Sequence, residues 1–414
     1  VVIFAAPLWL EVDTMTPRVV VLGGNFAGLT AALSLKQQLQ HEVQVTVISK
    51  SDQFLFTPSL IWIPFGKRTT NQISFPIAGT FAAHGVEFVH AAAIRIDPAA
   101  QQVETTGGVY QYDYLVVATG YQNDFSVIPG LGPGGNAYSI TSLDGAIAAG
   151  EGWMRLLNDP GPIVVGATQG AACFGAAYEF IFNVAHQLKK HGIRRQVSLS
   201  YVSAEPFPGH FGMGGLKGGE TMLTMFFKYT GIKGTFDVGM REVGPGELVL
   251  DNGRSLPFKY AMIVPPFMGA EVVKASGLGN ARGFIEVEDT YQTKTHRNIY
   301  AVGIGTAVNV PWHTSHAVGV PKTGFPAETM ARVAATNIAS QIRGEAPARR
   351  ESFAEIPAVC IMDAGNNGVV ILADHMLPPR KHGVMIPGPQ SHAAKIAFEK
   401  YFMWKTRHGY VGLP

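Results

Sequence analysis

Cysteine is scarce in this chain: there are two in 414 residues, Cys173 and Cys360. That number excludes the disulfide framework that staples small secreted folds, and the wide spacing excludes a zinc site built from close-set ligand pairs, so no metal is expected. A catalytic pair brought together by folding is the use left open. Charge is sparse too, at 15% of residues against 47% hydrophobic. The 32 basic and 30 acidic residues nearly cancel, and no basic excess points to nucleic acid. Long apolar runs are also missing: none reaches the roughly 18–20 residues needed to cross a bilayer. With a mean hydropathy of +0.14, the apolar residues serve either a large core or a surface that meets a membrane or a partner. The opening VVIFAAPLWLEVDT has an apolar stretch without a preceding basic segment or a small-residue cleavage site, so it is a poor signal peptide. Residues 1–14 are read as an extension outside the core fold.

What is present is a repeated strand–turn–helix–strand pattern. RVVVL at 18–22 reads as a buried parallel strand, followed by a Gly-rich turn, a helical stretch over 27–39 and a second strand over 43–49. A second such unit opens at Ile163, with a helical stretch over 171–190 and a strand over 198–203. Further buried strands are expected at 114–117, 261–264 and 299–302, a hairpin around Asn252-Gly253, and a helix from Gly324 to about Ile342. The pattern predicts an α/β protein with two Rossmann-like dinucleotide-binding domains. The first is split, 16–121 plus 281–345; the second is 122–280; residues 346–414 form a Pro-rich C-terminal segment ending in an aromatic helix.

The first turn reads Gly23-Gly24-Asn25-Phe26-Ala27-Gly28. Glycines in such a turn let the backbone approach a pyrophosphate, and the helix N-terminus supplies N–H groups and partial positive charge. Gly23 and Gly28 take the first and third glycine positions; Asn25 stands at the second, where its tolerance of unusual backbone angles preserves the turn. Ser49 ends the second strand in place of the usual acidic residue and offers a hydroxyl to a ribose. The second turn, Gly166 to Cys173, lacks the glycine spacing. One intact and one converted site argue for one tightly held FAD and against NAD(P)H as a second substrate.

The stretches GATQGAACFGAAYEF (166–180), SAEPFPGHFG (203–212), VPKTGF (320–325), VCIMDAGNNG (359–368) and AKIAFEKYF (394–402) together resemble the sulfide:quinone oxidoreductases, flavoproteins with two dinucleotide-binding domains. The resemblance implies non-covalent FAD, sulfide or polysulfide as substrate, a membrane quinone as acceptor, and peripheral, monotopic attachment to a prokaryotic cell membrane; it leaves a homo-oligomer open. It implies that Cys360 is nearer the flavin and that Cys173 carries the growing sulfur chain. Cys173 also stands at a helix start, where the dipole is expected to lower its thiol pKa. Glu179 and His210 are the expected proton carriers, and Lys322 the cation at the reducible edge of the flavin. Pro58, Ala93, Thr119, Gly120, Gly303, Ile304 and Thr323 complete the expected cofactor contacts, with backbone groups around Gly303 serving where Ile304 replaces the superfamily's usual Asp. Lys395 and Phe398, three apart on the last helix, are expected to meet the quinone. Phe398, Tyr401, Phe402, Met403 and Trp404, with Lys400, Lys405 and Arg407, are expected to form an aromatic and basic surface for lipid headgroups.

The chain departs from the family pattern at Thr141, where many members have a third cysteine, and at Gly145, where some have a histidine. It also stops at Pro414, where relatives continue with an amphipathic segment. Three other functions share parts of this pattern: the flavin subunit of a sulfide:cytochrome c dehydrogenase, a type II NADH dehydrogenase, and a non-enzymatic flavin redox sensor. The first usually attaches flavin through a cysteine, which 51–60 lacks; the second needs an intact second glycine turn; the third predicts no turnover with sulfide and quinone.

Overall fold

The computed structural model describes residues 16–412; the extension expected at 1–14 lies outside the described residues. Short β-branched runs form a five-stranded parallel sheet in the order Ile299–Ala301, Tyr114–Val117, Arg18–Leu22, Gln44–Ser49, Glu87–His90. Parallel neighbours need a crossover, and the helix Phe26–Leu39 supplies the first one. Its Ala27, Ala31 and Ala32 are buried against the helix Gly324–Ile342, whose Ala327, Ala331 and Ala334 are buried in turn. Small side chains on both contact faces allow close packing of the two helices.

A second parallel sheet runs Ile232–Thr235, Leu199–Ser203, Ile163–Ala167, Tyr260–Val264. Helices Leu143–Asn158 and Phe174–Lys190 pack on it. The Asn252-Gly253 turn joins the antiparallel strands Glu247–Leu250 and Ser255–Pro257, with Gly253 at φ +82°. A third, antiparallel sheet of Ala358–Asp363, Gly368–Ala373 and Gly383–Pro387 carries Cys360 and leads into the last helix, Pro389–Arg407. No helix among the described residues is long and apolar enough to cross a membrane.

The last helix is fixed by charge as much as by apolar packing. Lys395 pairs with Glu179, Glu399 with Arg68 at 2.8 Å, and Lys405 with Glu328 at 2.9 Å. These contacts correct the expected aromatic and basic surface. Phe402, Met403 and Lys405 are buried. The Phe402 ring sits 5.2 Å from Phe26 and 5.3 Å from Phe56, and Lys405 is drawn inward by the Glu328 carboxylate. Lys400, Tyr401, Trp404 and Arg407 are the part of that set left exposed.

Removing one partner of a buried ion pair strands the other charge away from water. Lys405→Met is therefore expected to destabilise the fold by about 3 kcal/mol, with most of the loss recovered when Glu328→Gln is added. Urea unfolding of the single and double variants checks this; an unchanged midpoint for Lys405→Met contradicts it.

Candidate active site at the cysteine pair

The first turn is built by steric demand. Gly23 has φ +107°, and a Cβ there would stand 2.3 Å from the Ala118 carbonyl oxygen. A Cβ on Gly28 would stand 1.8 Å from the Gly23 oxygen. Asn25 does not need the unusual angle expected of it: it caps the helix from an ordinary extended conformation, φ −98°. Its Nδ2 donates to the Leu55 carbonyl at 3.2 Å, while its Oδ1 is buried without a partner. Thr119 Oγ1, at the end of the adjacent strand, is likewise buried and unpaired. Two orphaned polar atoms beside a helix N-terminus whose first N–H groups have no intrahelical partner fit the polar groups of a dinucleotide. Ser49 is buried beside Gly24, whose Cβ would lie 3.3 Å from it. Ala93 lies farther out, as the first residue of the strand Ala93–Asp97.

The second turn is occupied by its own side chain. Gln169 donates from Nε2 to the Met240 oxygen at 2.9 Å and accepts from the Met240 N–H at 3.0 Å. A pyrophosphate needs bare backbone at such a turn, and here an amide side chain is stitched to the neighbouring strand instead.

Between the sheets lies a cavity of about 320 Å³. Cys173, the N-cap of helix Phe174–Lys190, and Cys360, on the third sheet, both line it. Asn25, Phe26, Ala27, Pro58 and Gly120 contribute from the first sheet's side. Gly303, Ile304, Lys322 and Thr323 come from the segment before helix Gly324–Ile342, and Glu179, Lys395 and Phe398 from two further helices. Six of the expected residues stand outside the cavity lining: Gly23, Gly28, Ser49, Ala93, Thr119 and His210. The first five belong to the turn and strand ends described above. His210 is the real departure. It is buried at an outer cleft of about 420 Å³, with its ring 4.9 Å from Trp312. Burial, aided by Arg380, pushes its pKa down to about 4, so it is neutral around pH 7.

Both thiols are free. Cys173 is half-buried and Cys360 is exposed, and both open into the cavity, where the surrounding protein disfavours their thiolates. Burial pushes Cys360 up to about 12. Burial also raises Cys173, outweighing the Ala176 N–H that favours its thiolate; this corrects the expectation that the helix dipole would lower it. Glu179 is pushed up to about 7 by burial, against the opposing pull of Lys395. Its Oε1 accepts from both Lys395 and the Asp363 N–H, the latter at 2.8 Å. Lys322 Nζ donates to the Thr306 carbonyl at 2.6 Å and lies 3.7 Å from the Phe284 ring centroid; burial lowers its pKa to about 7.

Two residues at the site escaped sequence reasoning. Asp363 is fully enclosed and accepts from Trp62 Nε1 at 2.8 Å and the Gly365 N–H at 3.1 Å, with His392 Nδ1 at 2.5 Å. It anchors the strand that carries Cys360 and presents its own N–H to Glu179. An acidic residue three positions after a cysteine in VCIMDAGNNG was the available signal. Tyr121 packs against Phe267 with ring centroids 4.0 Å apart and donates to the Thr141 carbonyl at 2.5 Å, and all three residues line the cavity. No local pattern marked it.

Two dinucleotide-type sheets, one converted turn and a thiol pair between them define a two-domain redox enzyme of the flavin–disulfide kind. Residues 17–319 match the model of the pyridine nucleotide-disulphide oxidoreductases. The chain is 35% identical over 406 residues to the sulfide-quinone reductase of Aquifex aeolicus, covering 96% of this chain and 93% of that one. The crystal structure of the sulfide:quinone oxidoreductase from that hyperthermophilic bacterium superposes with a TM-score of 0.90, covering 95% of this chain and 92% of the other. The mitochondrial sulfide:quinone oxidoreductase of Mus musculus is 23% identical over 334 residues, 76% of this chain and 70% of its own. The Plasmodium falciparum NDH2 structure, 14% identical with a TM-score of 0.72 over 96% of this chain and 97% of that one, shares the fold. The chain belongs to the pyridine nucleotide-disulphide oxidoreductases and, within them, to the sulfide-quinone reductase family.

Because a Cβ on Gly28 collides with backbone that cannot yield, Gly28→Ala is expected to purify with little bound flavin. The flavin-to-protein absorbance ratio measures this; a wild-type ratio contradicts it.

Proposed function

We propose that this chain oxidises sulfide to zero-valent sulfur, released as polysulfide, through Cys173 and Cys360, and passes the electrons through non-covalently held FAD to a membrane quinone. One observation carries the reading: both thiols, the Glu179–Lys395 pair and the intact dinucleotide turn border a single cavity. Membership of the sulfide-quinone reductase family supports it. Residues 16–121 with 281–345 are assigned to holding the flavin, 122–280 to presenting Cys173, and 346–414 to presenting Cys360 and the quinone contacts.

In the oxidised state the two sulfurs are joined, directly or through bridging sulfur. HS⁻ attacks the Cys173 sulfur, the sulfur–sulfur bond breaks, Cys173 keeps the persulfide and Cys360 leaves as thiolate. Overall HS⁻ yields zero-valent sulfur, one proton and two electrons, and the quinone takes up two electrons and two protons. A bound flavin supplies two-electron acceptance from the thiol side and two-electron donation to the quinone side. The protein around the cavity disfavours the Cys360 thiolate, so an anion formed there would be a strong electron donor. Glu179, with a pKa near 7 and a hydrogen bond to Lys395, can take up and return protons within the cavity. Lys322, which burial brings to about 7 and which lies 3.7 Å from the Phe284 ring centroid, would offer its ammonium to the reducible edge of a bound flavin when protonated. Lys395 offers an N–H to a quinone carbonyl and Phe398 a ring face. Peripheral contact with a prokaryotic cell membrane is assigned to the exposed Lys400, Tyr401, Trp404 and Arg407, which suit headgroups.

Anaerobic titration of the flavin spectrum with sulfide, followed by a short-chain quinone, tests the reading. Wild type is expected to bleach and recover, and Cys360→Ala to do neither; normal turnover of the variant contradicts the mechanism. Glu179 is protonated below about pH 7 and ionised above it, so a step in which it accepts a proton speeds up as pH rises through that value. Glu179→Gln is expected to lower kcat about 10²-fold and to remove that limb of the profile. A retained limb assigns it to another group.

A further inference from the structure

Glu205 is buried completely and forms no ion pair among the described residues. Its Oε2 accepts from Ser203 Oγ at 2.8 Å, and its Oε1 accepts from the Phe211 N–H at 2.6 Å. The titratable groups that act on it are Tyr178 from the Cys173 helix and Tyr201 from the preceding strand, while His210 stands on the loop it holds and the Arg380 guanidinium donates to the Met213 and Gly215 carbonyls at the end of that loop. Burial pushes both tyrosines well above their ordinary range and His210 down to about 4, so all three are neutral around pH 7. Burying a carboxylate among neutral groups is costly. Burial accordingly pushes Glu205 up to about 7. The fold keeps it nonetheless.

What it holds is strained. Phe211 has φ +54°, a left-handed conformation that is rare for a bulky residue. Gly212 follows at φ +68°, and a Cβ there would stand 2.2 Å from the Gly319 oxygen and 3.5 Å from the Phe174 ring. Phe174 is the residue after Cys173, and the Gly319 N–H donates to Ala171 at 3.0 Å, two residues before it. The loop is also clamped to the Cys173 helix itself, since the Gly209 N–H donates to Tyr178 Oη at 3.0 Å and the Phe211 ring meets the Tyr178 ring at 5.1 Å. The strain has a spatial result. Phe211 and Met213 face the thiol cavity, while His210, one residue earlier, faces the outer cleft. Successive residues of this one loop thus line both spaces.

We propose that Glu205 is a positioning residue of the sulfide half-reaction: by accepting the Phe211 N–H it holds the 206–213 loop in its left-handed turn, as the wall that aligns Cys173. This rests on the reading in which Cys173 takes up the sulfide sulfur. Backbone strain of this kind persists only where surrounding contacts over-determine it, and the Glu205 carboxylate is a contact that reaches the N–H of the strained residue.

The test uses flavin-loaded Glu205→Ala, Glu205→Asp and Glu205→Gln, with separate steady-state titrations of sulfide and of a short-chain quinone. Alanine removes the acceptor and aspartate keeps a carboxyl group but withdraws it by one methylene; both are expected to lower kcat/KM for sulfide roughly tenfold or more, with the quinone KM unchanged. Glutamine keeps an oxygen for the Phe211 N–H and is expected to restore wild-type kcat/KM. If Glu205→Ala fails to fold, Glu205→Asp carries the same comparison against glutamine. Equal losses for both substrates, or normal sulfide kinetics in the aspartate variant, overturn the proposal. Cys173→Ala separates the two levels: its normal turnover sinks the sulfur-transfer reading itself, whereas an inactive Cys173→Ala beside a normal Glu205→Asp sinks the positioning role alone.

Discussion

The buried pair of Lys395 and Glu179 is the contact on which the rest of the site depends. It joins the last helix to the helix that begins at Cys173, and the same Glu179 oxygen accepts the N–H of Asp363 on the strand that carries Cys360. One carboxylate therefore ties together both thiol-bearing segments and the helix that offers Phe398. Pairs of this kind contribute little net stability, because desolvation offsets most of the Coulomb attraction. Their effect is geometric: a charge buried without its partner is so unfavourable that the three elements have few other ways to assemble.

Burial is also what sets the chemistry. It raises both thiols and Glu179, and it lowers Lys322. A cavity that disfavours every isolated charge favours chemistry in which charge moves on quickly: a thiolate that gives up its electron pair, a carboxyl that exchanges a proton near neutrality. The two sheets contribute differently to this. The first keeps a bare glycine turn and two unpaired polar atoms for a dinucleotide. The second has filled its turn with Gln169 and turned the adjoining helix start over to Cys173.

Features set by local chain chemistry were legible in the sequence. The helix Gly324–Ile342 lies where its pattern placed it, and Phe26–Leu39 begins one residue early. The glycine demands at 23 and 28 follow from the turn itself. Features set by tertiary burial were not legible. Lys405 reads as a surface lysine until Glu328 is brought against it from another helix. The Ala176 N–H at the helix start does favour the Cys173 thiolate, but desolvation outweighs it, and desolvation has no sequence signature. Asp363, Tyr121 and the strained turn at Phe211 acquire their roles from partners on other elements.

In the proposed reaction the two cysteines are unequal, with sulfur held on Cys173 while Cys360 serves the electron path. Mass spectrometry of the alkylated enzyme after one anaerobic equivalent of sulfide tests this most directly. An added sulfur is expected on the peptide containing Cys173 and none on that containing Cys360. Added sulfur confined to Cys360, or on neither cysteine, would contradict it.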